Sequence, residues 1–272
     1  MGFIEDIKAA WKKNNSLLCV GLDTDLNKIP EHIRNNRNPV FEFNKAIVDS
    51  TYDLVCAYKP QIAYYSASRA EYDLEITIDY VHKKYPGIPV ILDAKRGDIG
   101  STARMYAIEA FDRYGADAVT INPYLGTDAL QPFIERADKG VIILCRTSNP
   151  GAVDIQDKEI NGEKLYRIIA KKALSDWNYN GNILLVVGAT YPEELAEIRA
   201  INGDIPFLVP GIGAQGGDVK KAVLKGRTQD GTGMIINSSR GIIYAGSGKD
   251  FTSEVRESAS RLRDEINKYR ND

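Results

Sequence analysis

Residues 90–111 read VILDAKRGDIGSTARMYAIEAF, and the fold of the whole chain can be worked out from this stretch. It starts as a short apolar run, Val90–Asp93, and turns through a loop containing Gly97 and Gly100. It then enters a segment whose apolar residues Met105, Ile108 and Phe111 fall at helical spacing. Ser101 and Thr102 are suitable residues for a helix start. The stretch is therefore one strand–loop–helix unit. The same unit recurs along the chain, with predicted strands at residues 17–22, 54–59, 116–121, 141–145, 183–187, 206–209 and 234–237. These runs are apolar without in/out alternation, which suits a parallel sheet covered on both faces. Stripes such as Phe41-Phe43-Ile47-Tyr52, Tyr72-Ile76-Tyr80 and Leu165-Ile168-Ile169-Ala173 predict the helices between them. Eight such units after an N-terminal helix fill residues 1–272 without a Pro/Gly/Ser-rich linker. We expect an α/β fold, a single (β/α)8 TIM-barrel domain with an additional N-terminal helix; an open doubly wound sheet is the alternative. In such a barrel, chemistry resides at the C-terminal ends of the strands.

Composition limits what the barrel does. Thirty-five basic and 37 acidic residues leave a net charge of −2, with 43% hydrophobic and 26% charged residues. That argues against disorder, and against a broad basic face for nucleic acid or anionic membrane. The two histidines, His32 and His82, lie in polar settings, so metal clusters and Ser-His-Asp triads have little to build on. Cys19, Cys56 and Cys145 lie singly in apolar runs, as buried reduced thiols do. The N-terminus lacks an uninterrupted apolar signal region, and no run approaches the ~18 residues of a membrane span. A cytoplasmic protein is expected.

Chemistry concentrates in Asp93-Ala94-Lys95-Arg96-Gly97-Asp98. Residues two apart on a strand share a face, which puts Asp93 and Lys95 together at the strand's C-terminal end. One strand earlier stands Lys59, and neighbouring strands are about 4.8 Å apart, so Lys59 reaches Asp93. The row Lys59, Asp93, Lys95, Asp98 reads either as a structural ion-pair network or as a functional cluster. The desolvation cost of charges at the end of a buried strand favours the latter. After the seventh strand comes Pro210-Gly211-Ile212-Gly213-Ala214-Gln215-Gly216-Gly217, and after the eighth Ser238-Ser239-Arg240-Gly241. GIGAQG formally matches a dinucleotide fingerprint, but such a loop belongs after the first strand. In a barrel, the loops after strands seven and eight commonly bind phosphate, here with Gln215 and Arg240 as donors.

Together these residues closely resemble the orotidine 5′-phosphate decarboxylase family. Its D-x-K-x-x-D string is matched by Asp93, Lys95 and Asp98, and DAKRGDIGSTA is similar to its longer bacterial subgroup. Gly21-Leu22-Asp23, Lys59, the PGIGAQGG loop and Arg240 follow in family order over nearly the whole barrel. The resemblance implies a cofactor-free and metal-free conversion of orotidine 5′-phosphate to UMP and CO2 in pyrimidine biosynthesis. It also implies that Lys95 is the proton donor, that Asp93 lies beside the substrate carboxylate, and that Lys59 and Asp98 complete the network. Asp23 would hold ribose hydroxyls, Gln215 and Arg240 the phosphate, and Ser148 of Arg146-Thr147-Ser148-Asn149-Pro150-Gly151 the pyrimidine. Asp98 and Thr102 would act in the other subunit's site, making the protein a homodimer with shared active sites. The segment GAVDIQDKEINGEK is longer than in the short members, and Asn122 sits at a strand end without an assigned role.

Loss of CO2 from C6 leaves a carbanion in the ring plane, outside the π system, so an adjacent ammonium must stabilise it. A carboxylate set against the substrate carboxylate repels it by up to about 4 kcal/mol at 4 Å and an effective dielectric of 20. Two alternatives remain open. One is metal-assisted aldolase or decarboxylase chemistry on a sugar phosphate, using the same barrel frame. The other is a non-catalytic nucleotide-binding barrel.

Overall fold

The computed structural model describes residues 2–212 and 217–270. The main sheet has eight strands: β1 (Leu18–Leu22), β2 (Ala57–Pro60), β3 (Ile91–Arg96), β4 (Ala118–Ile121), β5 (Gly140–Arg146), β6 (Ile183–Val187), β7 (Phe207–Val209) and β8 (Met234–Ser238). Its order is β2-β1-β8-β7-β6-β5-β4-β3, every pairing being parallel. Parallel bridges Tyr58↔Val90 and Gln61↔Asp93 join the last strand to the first. The result is the expected (β/α)8 barrel. β1, β2, β4, β6, β7 and β8 are buried along their whole length, as strands lined by core on one face and helices on the other must be.

The additional N-terminal helix, Phe3–Lys13, covers the N-terminal end of the barrel. Phe3, Ile7, Ala10 and Trp11 are its buried face, and the Phe3 amide donates to the Asp138 carbonyl just ahead of β5. A β-carbon at Gly140, the first residue of β5, would overlap the Phe3 ring, so the helix docks only because that strand begins with glycine.

Two helix faces differ from the sequence reading. In Glu71–Lys84 the buried residues are Asp73, Leu74, Thr77, Ile78 and Val81, while Tyr72 is exposed. In Gly100–Ile108 the packed residues are Ala103 and Ala107, and Met105 and Ile108 face outward. Both segments carry two apolar stripes, and tertiary packing selects the one whose side chains fit the sheet. The long segment after β5 forms a 3-10 turn, Pro150–Asp154, and an antiparallel hairpin pairing Glu159–Ile160 with Glu163–Lys164.

Candidate active site

The C-terminal ends of β1, β2 and β3 bring four charged side chains together. Asp93 Oδ2 accepts from Lys59 Nζ at 3.1 Å and from Gln61 Nε2 at 3.0 Å. Its Oδ1 accepts from Lys95 Nζ at 2.6 Å and Thr120 Oγ1 at 2.7 Å. Lys59 Nζ also lies 4.0 Å from Asp23 Oδ1, a buried oxygen with no hydrogen-bond partner among the described residues. Burial alone would raise the Asp93 carboxyl; the Lys59 and Lys95 ammoniums, with hydrogen bonds from Lys95 and Thr120, outweigh it and hold it well below the usual carboxylate range. Lys59 shows the same balance with the signs reversed. Burial opposes its charge, but Asp93 and Asp23 prevail and push the ammonium above its ordinary value.

Lys95 reaches Asp93 by a route other than simple alternation. The β3–β4 register shifts between Leu92 and Arg96, and Lys95 takes φ 47°, a left-handed conformation costly for a non-glycine residue. Thr120 on β4 holds this bulge. Its hydroxyl accepts from the Ala94 and Lys95 amides at 3.0 and 2.9 Å while donating to Asp93. Arg96 turns away from the row. Its guanidinium forks onto Glu109 at 2.9 and 3.0 Å and stacks 4.6 Å from the Tyr106 ring, anchoring the strand end to the following helix.

Three members of the row, Lys59, Asp93 and Lys95, form one wall of a cavity of about 550 Å³; the fourth, Asp98, does not join them. Asp23, Lys59, Asp93, Lys95, Ser148 and Arg240 all line it, with Leu144, Val186 and Leu208 as an apolar patch. Ser148 is set by the segment after β5. Gln156 Oε1 accepts from the Thr147 amide at 2.9 Å, and its Nε2 donates to Thr147 Oγ1 at 2.8 Å. Beneath this segment lies Arg146, fully buried, with its guanidinium 3.8 Å from the Tyr191 ring and 3.5 Å from Asp157. A β-carbon at Gly188 would come within 2.8 Å of Ser148 Cα and Cβ, so the residue that follows β6 must be glycine for the two loops to pass. Gly21 has the same function at the β1–β8 edge, where a β-carbon would collide with Ser239 Oγ. Asn237, buried in the cavity wall, has an Oδ1 with no hydrogen-bond partner among the described residues.

Asp98 and Thr102 lie outside this cavity. Asp98 Oδ1 accepts from the Ile99 amide at 2.8 Å, and Thr102 is exposed on the helix that follows. Ile99, Met105 and Tyr124 are exposed apolar side chains at 59%, 61% and 80%. Asn122 lies nearby and caps the turn after β4, its Oδ1 accepting from the Tyr124 amide. Gln215 lies outside the described residues. Gln61, Thr120, Gln156 and Asn237 are polar cavity residues that the sequence reading missed. Gln61 was within reach of it, standing two residues after Lys59 on the same face. Among the described residues, no group of three His, Cys, Asp or Glu side chains is placed to hold a metal ion.

The sequence model of the orotidine 5′-phosphate decarboxylase / HUMPS family matches residues 16–254. The orotidine 5′-phosphate decarboxylase of Dechloromonas aromatica (strain RCB) is 59% identical over 270 residues, covering 99% of this chain and 100% of that one. That of Ralstonia pickettii (strain 12J) is 57% identical over 271 residues, covering 100% of both chains. Among solved structures, the OMP decarboxylase of Leishmania donovani superposes with a TM-score of 0.86 at 39% identity, covering 100% of both chains.

Proposed function

This chain belongs to the orotidine 5′-phosphate decarboxylase / HUMPS family, and from that premise we propose that it converts orotidine 5′-phosphate to UMP and CO2, as a carboxy-lyase of pyrimidine biosynthesis. The observation that carries the mechanism is the Lys95 ammonium 2.6 Å from a buried, ionised Asp93, in a cavity that also contains Arg240. Arg240 holds the phosphate dianion with a guanidinium fork. The Asp23 carboxylate, in the cavity wall, receives ribose hydroxyl donors, and Ser148 contacts the pyrimidine. The C6–carboxylate bond then lies against Asp93. As it breaks, CO2 leaves with neither bonding electron, and the electron pair stays on C6. Lys95 stabilises that pair and transfers a proton to it, giving UMP, and takes its own proton back from solvent. Lys59 keeps Asp93 charged and in place. All of this requires only the chain's own side chains.

Asp98 and Thr102 are read as contributions to a second copy's site, and the exposed apolar side chains Ile99 and Met105, close to them in the chain, support a homodimer covering that face. One barrel domain over 1–272 and a cytoplasmic location complete the reading. The three buried free thiols and the lack of any helix long and apolar enough to cross a membrane, among the described residues, agree with it.

The test is the fall in orotidine 5′-phosphate absorbance on adding purified protein, with and without EDTA. Turnover in both arms is expected, and Lys95→Ala should abolish it while UMP still binds. Activity lost with EDTA would favour metal-assisted chemistry on the same frame. UMP binding without turnover by the unsubstituted chain would leave a nucleotide-binding barrel.

A further inference from the structure

We propose that Tyr244 is a positioning residue that ties the phosphate end of the cavity to Asp23, so that a grip on phosphate and a grip on ribose reinforce each other. The proposal rests on the assignment of phosphate to Arg240 and ribose to Asp23.

The chain leaves β8 through Ser239 and makes a short turn of helix, Arg240–Ile243, with the Tyr244 amide donating to the Arg240 carbonyl at 3.3 Å. From there the phenol crosses to the segment after β1. Its oxygen accepts from the Asp25 amide at 2.7 Å and donates to the Asp23 carbonyl at 3.1 Å. One hydroxyl thus fixes the backbone on both sides of Thr24. Tyr65 holds the preceding residue by donating to the Leu22 carbonyl at 2.9 Å, and Thr24 Oγ1 donates to Asn44 at 2.6 Å. With these contacts in place, the free rotation left to Asp23 is that of its side chain, whose Oδ1 points toward Lys59.

The ring itself is held. Tyr244 stacks on Phe43 at 5.8 Å and 17°, and Phe43 stacks on Phe251 at 5.5 Å and 12°. Burial pushes the phenol up to about 12, so it keeps the proton it donates to the Asp23 carbonyl. Of the contacts to the Asp23–Asp25 backbone, the Tyr244 hydroxyl is the one rooted in the Arg240 turn. A ligand group that draws Arg240 toward one position therefore biases Asp23 through it, and linkage makes the effect mutual.

Tyr244→Phe keeps the ring stack and removes the hydroxyl. The experiment is a double-mutant cycle on UMP affinity by calorimetry. It uses Asp23→Asn and Arg240→Lys, singly and together, in the parent and the Y244F backgrounds. With Tyr244 present, the paired loss should differ from the product of the single losses by roughly fivefold or more; in the Y244F background it should match that product within about twofold. Amide exchange gives a second readout that a purely structural role would not move. Inorganic phosphate should slow exchange at residues 23–25 in the parent chain and leave it unchanged in Y244F. Equal coupling in both backgrounds, or none with Tyr244 present, would overturn the relay alone. No UMP binding by the parent chain would overturn the functional reading, and the relay with it.

Discussion

Thr120→Val removes one oxygen and tests whether the charge row depends on its neutral supports. Thr120 is 1% exposed, and its hydroxyl donates to Asp93 and accepts from the Ala94 and Lys95 amides, which uses its full bonding capacity. Valine matches the shape and leaves three groups short of a partner. A hydrogen bond to a charged group contributes about 1.5–3 kcal/mol, and an unsatisfied amide costs about 1–3 kcal/mol when buried. The two amides are only partly buried, so the total loss should be about 3–5 kcal/mol. At about 2–4 °C per kcal/mol for a chain of this size, melting should fall by roughly 6–20 °C. Activity should fall further than stability explains, because Lys95 sits at φ 47° with its amide fixed by that same hydroxyl. A displacement near 1 Å at the reacting group costs on the order of 10²-fold in kcat. Calorimetric melting and steady-state kinetics at a temperature where the variant is folded measure both effects, and Thr120→Ser, which keeps the hydroxyl, should stay close to the parent. Thr120→Val melting within about 2 °C and turning over within about twofold of the parent would refute the account of the bulge.

Three other outcomes follow from the geometry. If Asp98 completes a second copy's site, mixing Lys95→Ala with Asp98→Ala chains and allowing exchange restores about one quarter of parental activity, since half the dimers are mixed and each has one intact site; no recovery after verified exchange would rule out shared sites. Because the Asp93 carboxyl is depressed in the folded chain, its stabilising contribution is present above the unfolded value of about 3.9 and is lost as pH falls through the folded value. Urea midpoints measured from pH 7 to pH 2 should therefore fall more steeply for the parent than for Asp93→Asn, and parallel curves would contradict the ion-pair account. Gly188→Ala places a methyl group 2.8 Å from Ser148 Cα, so KM should rise roughly tenfold with kcat less affected; an unchanged KM would mean that Ser148 does not touch substrate.

The barrel was legible because its strands are apolar runs without alternation, as in a parallel sheet covered on both faces, and because eight such strand–helix units fill the chain. The approach of Lys59 to Asp93 was legible too, since adjacent parallel strands in register leave no other place for the two side chains, and the contact is 3.1 Å. Lys95 is a subtler case. Strand alternation predicted its side, and the side chain does reach Asp93, but through a bulge that no periodicity rule contains. The helix faces at 71–84 and 100–108 were misread because tyrosines and methionine compete with leucine and alanine for the inner stripe. Only the distance from helix to sheet decides between them. Thr120 escaped notice for a related reason: a lone threonine in an apolar strand is ordinary in a sequence, and its value lies in three partners contributed by another strand.

Those partners explain how so much charge survives at the end of a buried strand. A buried carboxylate with a single lysine partner leaves oxygen lone pairs unfilled, and its desolvation can exceed the Coulombic gain. Asp93 receives four donors, and two of them, Gln61 and Thr120, carry no charge. Further cations in those places would fill the same lone pairs but would cancel the negative charge that, in the proposed mechanism, opposes the substrate carboxylate. Neutral donors orient the carboxylate and leave its field largely intact, while Lys59, buried between Asp93 and Asp23, supplies the compensation from beneath. The exposed side of the row is thus left to Lys95, whose side chain is 47% accessible and whose ammonium, in the proposed mechanism, faces the ligand carbon. A site arranged this way has its electrostatics set before the substrate arrives, so little reorganisation is needed at the moment the bond breaks.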